Sequence, residues 1–150
     1  MSVEIDLRIN SSSVFTGIEA RDEHLRSADF FDAERFPEIR FNASSLAEVD
    51  GEGHFALYGE LTMKGIKKQI KLDVEFGGVV KDPWGNEKAG FSINGKINRK
   101  DWALNWNAAL EAGGFLVGDE VRISCEVQLL KSNEEPVSTE ANQSTESINN

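Results

Sequence analysis

Residues 70–76 read Ile-Lys-Leu-Asp-Val-Glu-Phe, so apolar and charged side chains alternate without a break. Successive side chains of a β-strand point to opposite faces, and this stretch therefore predicts a strand with one dry and one wet face. One-sided strands of this kind are typical of antiparallel sheets, because parallel strands are usually buried on both faces. The stretch therefore favours an antiparallel β-protein.

The same period of two recurs along most of the chain. It is found in five further segments, at residues 3–9, 39–43, 55–63, 91–97 and 121–129. Turn signals separate several of them: Asp50-Gly51, Gly65 and the run Asp82-Pro83-Trp84-Gly85. Six such strands predict an all-β sandwich or barrel, and periodicity alone does not separate the two.

Two short helices are predicted to interrupt the strands. Thr16 and Glu19 have the spacing of a capping box, which predicts a helix over residues 17–27. Asn107 can cap a second helical turn, Ala108–Ala112, which Gly113 would end.

The chain divides into a folded domain, residues 1–131, and a tail, residues 132–150. The tail is polar and holds four acidic residues and no basic one, so we predict that it is disordered. The net charge is −10, and residues 1–131 carry 22 acidic and 16 basic residues, or −6. This sign opposes binding to nucleic acids and to anionic membrane surfaces.

No segment approaches the about 18 consecutive apolar residues of a membrane helix, so an integral membrane protein is not expected. The N-terminus lacks the apolar centre of a signal peptide, which favours a cytoplasmic protein. A periplasmic location is the alternative if a signal has been lost. The single cysteine, Cys125, excludes an intramolecular disulfide.

The residues that commonly carry chemistry form no recognisable site. His24, His54 and Cys125 lack zinc-type spacing, and no phosphate loop or nucleophile elbow is present. A glycosidase pair could lie among the carboxylates of segment 22–32, but a solvated face is the simpler interpretation. The sequence therefore predicts no enzyme, no metal and no cofactor.

Several long motifs resemble those of the YceI-like family, and they occur in the family's order. They are the segment 21–32 (RDEHLRSADFFD), Phe36-Pro37, residues 59–65 (GELTMKG), 81–85 (KDPWG), 97–102 (INRKDW), Trp106-Asn107 and residues 118–121 (GDEV). Together they cover residues 1 to about 131. The resemblance implies an antiparallel, lipocalin-like β-barrel that binds a polyisoprenoid lipid, such as a polyprenyl phosphate or an isoprenoid quinone.

This resemblance turns the apolar strand positions into candidates for a ligand-binding wall, although each of them could equally be ordinary core. The candidates are Phe30, Phe31, Phe41, Leu57, Leu61, Leu72, Val74, Phe76, Phe91, Ile93, Trp102 and Trp106. Arg21 and His24 are candidates for contacting a headgroup, and helix-surface structure is their alternative role. A packed domain without ligand and an enzyme acting on an amphiphilic lipid stay open as other functions.

The chain departs from the family pattern at its start, where members usually have additional strands of several tens of residues. The barrel is therefore expected to be incomplete, or the sequence to be truncated. An incomplete barrel exposes unpaired strand edges, which favour pairing with a second copy. If the chain is the whole protein, we expect a homodimer.

Overall fold

One antiparallel sheet makes up most of the molecule. The computed structural model describes the backbone of residues 2–131 and 145–149, and the side chains of residues 3–131. The strands are β1 (Ser2–Asn10), β2 (Glu38–Glu48), β3 (His54–Met63), β4 (Ile66–Lys81), β5 (Glu87–Asn98), β6 (Glu120–Leu130) and β7 (Thr145–Asn149). Each strand pairs with the next in chain order, and the sheet curls into a half-barrel.

The six strands predicted from alternation are all present, as β1 to β6. The hairpins also lie where turn residues predicted them. Lys64 and Gly65 connect β3 to β4 with φ angles of 50° and 73°, as a two-residue hairpin requires. Asp82 to Gly85 turns β4 into β5, and the Gly85 amide donates to the Asp82 carbonyl. The prediction of an antiparallel, barrel-type fold is confirmed.

The inner, concave face of the sheet is apolar from strand to strand. Opposite residues form rows across it, such as Leu46, Leu57 and Leu72 on β2 to β4. Because side chains alternate, the charged partners of these residues lie on the outer face. Most of the inner residues belong to one buried cluster, which is the core of the protein.

Gly59 of β3 lies where the inner packing brings backbone and a buried ring close together. A Cβ atom at Gly59 would lie 2.5 Å from the Asn42 carbonyl oxygen and 2.7 Å from the Phe41 ring. We expect Gly59→Ala to destabilise the fold by about 3 kcal/mol, because neither backbone nor a buried ring can yield cheaply. Urea unfolding followed by circular dichroism measures this cost.

Two other strand glycines are matched controls. A Cβ at Gly95 would meet only the end of the flexible Leu72 side chain closely, so Gly95→Ala should cost less than Gly59→Ala. Gly90 has open space, and Gly90→Ala should stabilise by about 0.5 kcal/mol, since glycine is unfavourable within strands. Equal costs at all three positions would contradict the steric explanation.

Helix α1 and the loop after it cover one end of the half-barrel. Helix α1 spans Glu19–Arg26, within the predicted residues 17–27, and two 3-10 helices span Ser11–Ser13 and Arg99–Trp102. The predicted capping box is wrong, because Ile18 is the N-cap and provides no side-chain bond. Thr16 instead donates from its amide and hydroxyl to the buried Asp22 carboxylate.

The helical turn predicted at Ala108–Ala112 does not form. The segment folds back in a narrow loop, in which Ala109 bridges to Phe115. The Asn107 side chain caps no helix; it accepts from the Val117 amide and donates to the Val117 carbonyl, closing the loop. Asn107 thus makes contact with a residue ten positions away, which local spacing could not indicate.

The tail also differs from prediction where the structure describes it. The sequence predicted disorder throughout residues 132–150, but Thr145–Asn149 forms strand β7 against residues 122–126 of β6. The unpaired backbone of an outermost strand attracts any extended segment, even a polar one, and this is the physical reason for the difference. The other predicted tail residues, 132–144 and 150, lie outside the described residues.

Candidate functional site

The structure brings the predicted wall residues together on or beside the inner face. Seven are buried in the core cluster: Phe30, Phe41, Leu57, Leu61, Leu72, Val74 and Trp102. Phe31, Phe91, Ile93 and Trp106 pack against that cluster and are partly buried. Phe76 is exposed, and its ring lies beside that of Phe91 with 5.4 Å between the ring centroids. Burial alone does not distinguish packing from ligand binding at these positions.

The apolar surface continues past the packed core toward the uncovered end of the half-barrel. There β4, β5 and β6 place Phe76 beside Phe91 and Val127, and then Val79 beside Ala89 and Leu129. Phe76, Val79 and Leu129 remain exposed to solvent. This open end of the inner face presents apolar side chains that no described residue covers, which is the chemistry that a lipid chain requires.

A small cavity lies at the covered end of the half-barrel, within the described residues. It measures about 20 Å³ and is lined mainly by apolar side chains of α1, the following loop and the strand ends. Phe30 and Phe31 line it, as do Leu25 and Met63. A volume of this size is enough for roughly one water molecule, whereas pockets for organic ligands measure roughly 300–1,000 Å³. A lipid therefore does not fit inside the covered end as it stands.

A larger cleft of about 460 Å³ opens where β4 and β5 separate. Their pairing begins at Asp73 and Asn94, so residues 66–72 of β4 pair with β3 alone. The cleft is lined by Lys68, Gln69, Ile70, Lys71, Lys96, Ile97, Asn98, Asp101 and Trp102. Three ammonium groups and one carboxylate give this lining a positive balance in an acidic protein.

The two predicted headgroup residues do not line either space. Arg21 donates from Nε to the Thr16 hydroxyl at 2.8 Å and from Nη2 to the Thr16 carbonyl at 3.0 Å. His24 packs edge-on against Phe30 and Trp106, and its Nε2 lies 2.9 Å from an oxygen of Asp29. Both side chains have structural partners, in line with the helix-surface alternative.

Arg99 is an organising residue that sequence reasoning did not single out. Its side chain is 1% exposed, yet it lies next to the exposed Lys100 in the sequence. The guanidinium donates to the carbonyls of Leu104, Trp106, Val117 and Gly118. It therefore fixes the course of residues 103–119, the loop between the second 3-10 helix and β6.

The carboxylates considered for catalysis are held apart by different partners. Asp22 and Asp32 are buried; Asp22 accepts from Thr16, and Asp32 lies 3.4 Å from Nη1 of Arg35. Neither carboxylate lines the enclosed cavity. Within the described part of the chain, no three His, Cys, Asp or Glu residues are grouped as metal ligands would be.

An antiparallel half-barrel with an apolar inner face and one covered end belongs to the lipocalin-like class of β-barrel proteins. The sequence profile of the YceI-like domain matches residues 1–129, and the chain therefore belongs to the YceI-like family. Proteins of this family are generally non-catalytic binding proteins. Family and fold are consistent with lipid binding in general.

Similar proteins agree on this family. The chain is 40% identical over 118 residues to the UPF0312 protein SA2479 of Staphylococcus aureus, covering 78% of this chain and 66% of that protein. It thus spans slightly less than two thirds of that relative. The crystal structure of the Campylobacter jejuni YCEI protein superposes with a TM-score of 0.76 at 34% identity, over 87% of this chain and 74% of that one.

A more distant structure shares the fold. Burkholderia cenocepacia BcnA superposes with a TM-score of 0.65 at 19% identity, over 86% of this chain and 74% of that one. Among the described residues, no helix has the length and apolar character needed to cross a membrane.

Proposed function

We propose that the protein binds and carries a long isoprenoid lipid, a polyprenyl phosphate or an isoprenoid quinone, on the apolar inner face of its half-barrel. The observation that carries the proposal is the uncovered end of that face, where Phe76, Val79 and Leu129 are exposed although they continue the rows of the core. Exposed apolar surface that is continuous with a core is costly and commonly marks a binding site.

The affinity of such a ligand would come from buried area. Covering about 300 Å² of apolar surface contributes roughly 7 kcal/mol before the cost of association is subtracted. The inner face around Phe76 and Phe91 offers aromatic and aliphatic contacts but no charged group at these positions, so it suits a hydrocarbon chain better than a polar substrate. The proposed activity is binding without catalysis.

The lysine-lined cleft is a better headgroup candidate than Arg21 and His24. Lys71 lies 3.9 Å from Asp73 and Lys96 lies 3.3 Å from Glu120, while Lys68 has no ion pair within the described residues. Ile70 and Ile97 line the same cleft and also pack in or against the apolar core, so the cleft adjoins the core. Ammonium groups attract phosphate oxygens, which favours an anionic headgroup.

A second candidate function rests on the small enclosed cavity. The cavity at the covered end measures about 20 Å³, and packing this dense favours a structural or interaction domain that holds no ligand. The two candidates differ in one measurable respect, since only a carrier co-purifies with lipid.

The test is solvent extraction of protein purified from its native cells, followed by mass spectrometry. We expect an isoprenoid in stoichiometric amount, and its mass identifies the headgroup. Phe76→Asp places a charge on the inner face and should reduce the lipid content at least about tenfold, because a carboxylate is expensive to bury against hydrocarbon.

Tyr58→Asp is the matched control. Tyr58 follows the inner residue Leu57 on β3, so it lies on the outer face, and it is 45% exposed against 38% for Phe76. The control should retain the lipid. Thermal unfolding of both variants verifies that they are folded. Lipid-free wild-type protein, or equal losses in the two variants, would contradict the proposal and favour the packed domain.

A further inference from the structure

The far end of the β4–β5 hairpin breaks the rule that the outer face of the sheet is polar. Pairing of β3 with β4 stops at His54 and Glu75, and Phe76 donates from its amide to the carbonyl of Gly53. Residues 77–81 of β4 therefore extend beyond β3, by roughly 15 Å at 3.3 Å per residue. Among the described residues, β5 and β6 alone accompany β4 in this projecting end.

Both faces of the projecting end carry exposed aliphatic side chains. Val79 and Leu129 lie on the inner face, while their neighbours Val80 and Leu130 lie on the outer face. All four are exposed. Farther back on β4 the outer positions are charged, as at Lys71 and Asp73. On the outer face Lys88 lies between Val80 and Leu130, so exposed aliphatic groups alternate with a charged one. Exposed aliphatic side chains on both faces are costly in water and are suited to insertion into an apolar medium.

The turn at the tip holds an exposed tryptophan in a fixed position. Trp84 is 83% exposed. The Asp82 carboxylate accepts from the amides of Trp84 and Asn86, both at 2.9 Å, and from the Asn86 side chain at 3.1 Å. The backbone hydrogen bond from Asn86 is the main cause that lowers the pKa of Asp82. This carboxylate is thus turned toward the turn backbone.

The charges around the tip are opposite in balance to those of the whole chain. Among the described residues, Lys81, Lys88 and Lys131 surround it, against the carboxylates of Asp82 and Glu87, which leaves an excess of one positive charge in a protein of net charge −10. Glu87 is paired with Lys131 at 3.3 Å. Tryptophan beside lysines, next to apolar side chains, is the composition that lies at the boundary between lipid headgroups and acyl chains.

We propose that this projecting end, the docking tip formed by residues 79–88 and 129–131, inserts into the surface of a lipid bilayer that contains anionic lipids. Trp84 and the four aliphatic side chains enter the headgroup boundary, and the lysines face the lipid phosphates. The inner face leads directly from Val79 and Leu129 toward Phe76, so a lipid leaving the bilayer would meet apolar surface along this path. The net negative charge of the chain predicted no binding to anionic membranes, because a net charge averages over the local positive excess at the docking tip.

The test is co-sedimentation of the full chain with vesicles of phosphatidylcholine and phosphatidylglycerol that contain no isoprenoid. Wild-type protein should sediment with them, and Trp84→Ala should bind at least about tenfold more weakly. Because the vesicles lack the proposed ligand, this result is independent of the proposed lipid-carrying function.

Phe115→Ala is the matched control, since Phe115 is 70% exposed in the loop that precedes the opposite end of β6. It should bind vesicles as the wild type does, and circular dichroism should show both variants folded. Absence of wild-type binding would overturn the proposal. So would unchanged binding of Trp84→Ala, or a loss in Phe115→Ala as large as that in Trp84→Ala.

Discussion

Arg99→Met is expected to lower the free energy of unfolding by about 4 kcal/mol, because it removes the donors for four carbonyls in a water-poor region. Those carbonyls belong to Leu104, Trp106, Val117 and Gly118, and all lie in residues 103–119, the loop before β6. Methionine fills much of the space but donates nothing. Urea unfolding monitored by circular dichroism gives the loss.

The hydrogen bonds of Arg99, and not its charge, are expected to account for its contribution to the free energy of unfolding. Among the described residues its one carboxylate partner is Asp119, which lies 3.8 Å away and is half exposed, so that ion pair contributes little. Arg99→Lys keeps the charge but lacks the planar fork that reaches several carbonyls at once, and should still lose about 2 kcal/mol. If Arg99→Lys were fully stable, a purely ionic role would replace this explanation.

Arg8→Met is the matched control for Arg99→Met. The Arg8 side chain is largely exposed on β1, where it lies 3.3 Å from Asp6. Asp6 keeps Arg40 as a second partner, which donates from both Nε and Nη2 at 3.0 Å. The change should therefore stay within about 0.5 kcal/mol of the wild type. A cost at Arg99 as small as that at Arg8 would contradict the hydrogen-bonding role.

The strands could be predicted from sequence because their signal is local. On β4, Leu72 is buried and its neighbour Asp73 is exposed. The same alternation of apolar and charged residues can be seen in the sequence. The two-residue turn at Lys64-Gly65 is likewise local, since it depends only on backbone angles that glycine adopts readily. For such features, distant contacts in the fold do not override the local preference of the sequence.

The loops and the site could not be predicted in the same way, because their contacts are distant in sequence. The Asn107 side chain accepts a hydrogen bond from the Val117 amide and caps no helix. Thr16 donates to Asp22 and not to the capping-box partner that its spacing predicted. In the sequence Arg99 resembles an exposed residue, because the carbonyl groups that bind and bury it belong to a separate loop. The apolar wall was predicted from the resemblance to the YceI-like family. Only the paired strands show that Phe76 lies on its exposed part while Leu57 is buried in the core.

Trp102 separates the structural part of the predicted wall from the part proposed to bind lipid. Its side chain is 2% exposed, and its indole Nε1 donates to the Leu61 carbonyl at 3.0 Å. Trp102→Ala should therefore cost about 4 kcal/mol, since it leaves a large void and removes the hydrogen bond to the Leu61 carbonyl. Chemical unfolding followed by far-ultraviolet circular dichroism measures the change.

Trp102→Phe isolates the hydrogen bond, because phenylalanine keeps most of the apolar volume but has no donor. We expect a cost of about 2 kcal/mol, between the wild type and Trp102→Ala. Trp84→Phe is the matched control: Trp84 is exposed at the hairpin tip, so the same change there should alter stability by less than about 0.5 kcal/mol. A Trp102→Ala protein as stable as the wild type would show that Trp102 belongs to a ligand wall and not to the core. A large loss would place Trp102 among the residues that hold the half-barrel together, and would leave Phe76 and its exposed neighbours as the surface on which lipid binding must be tested.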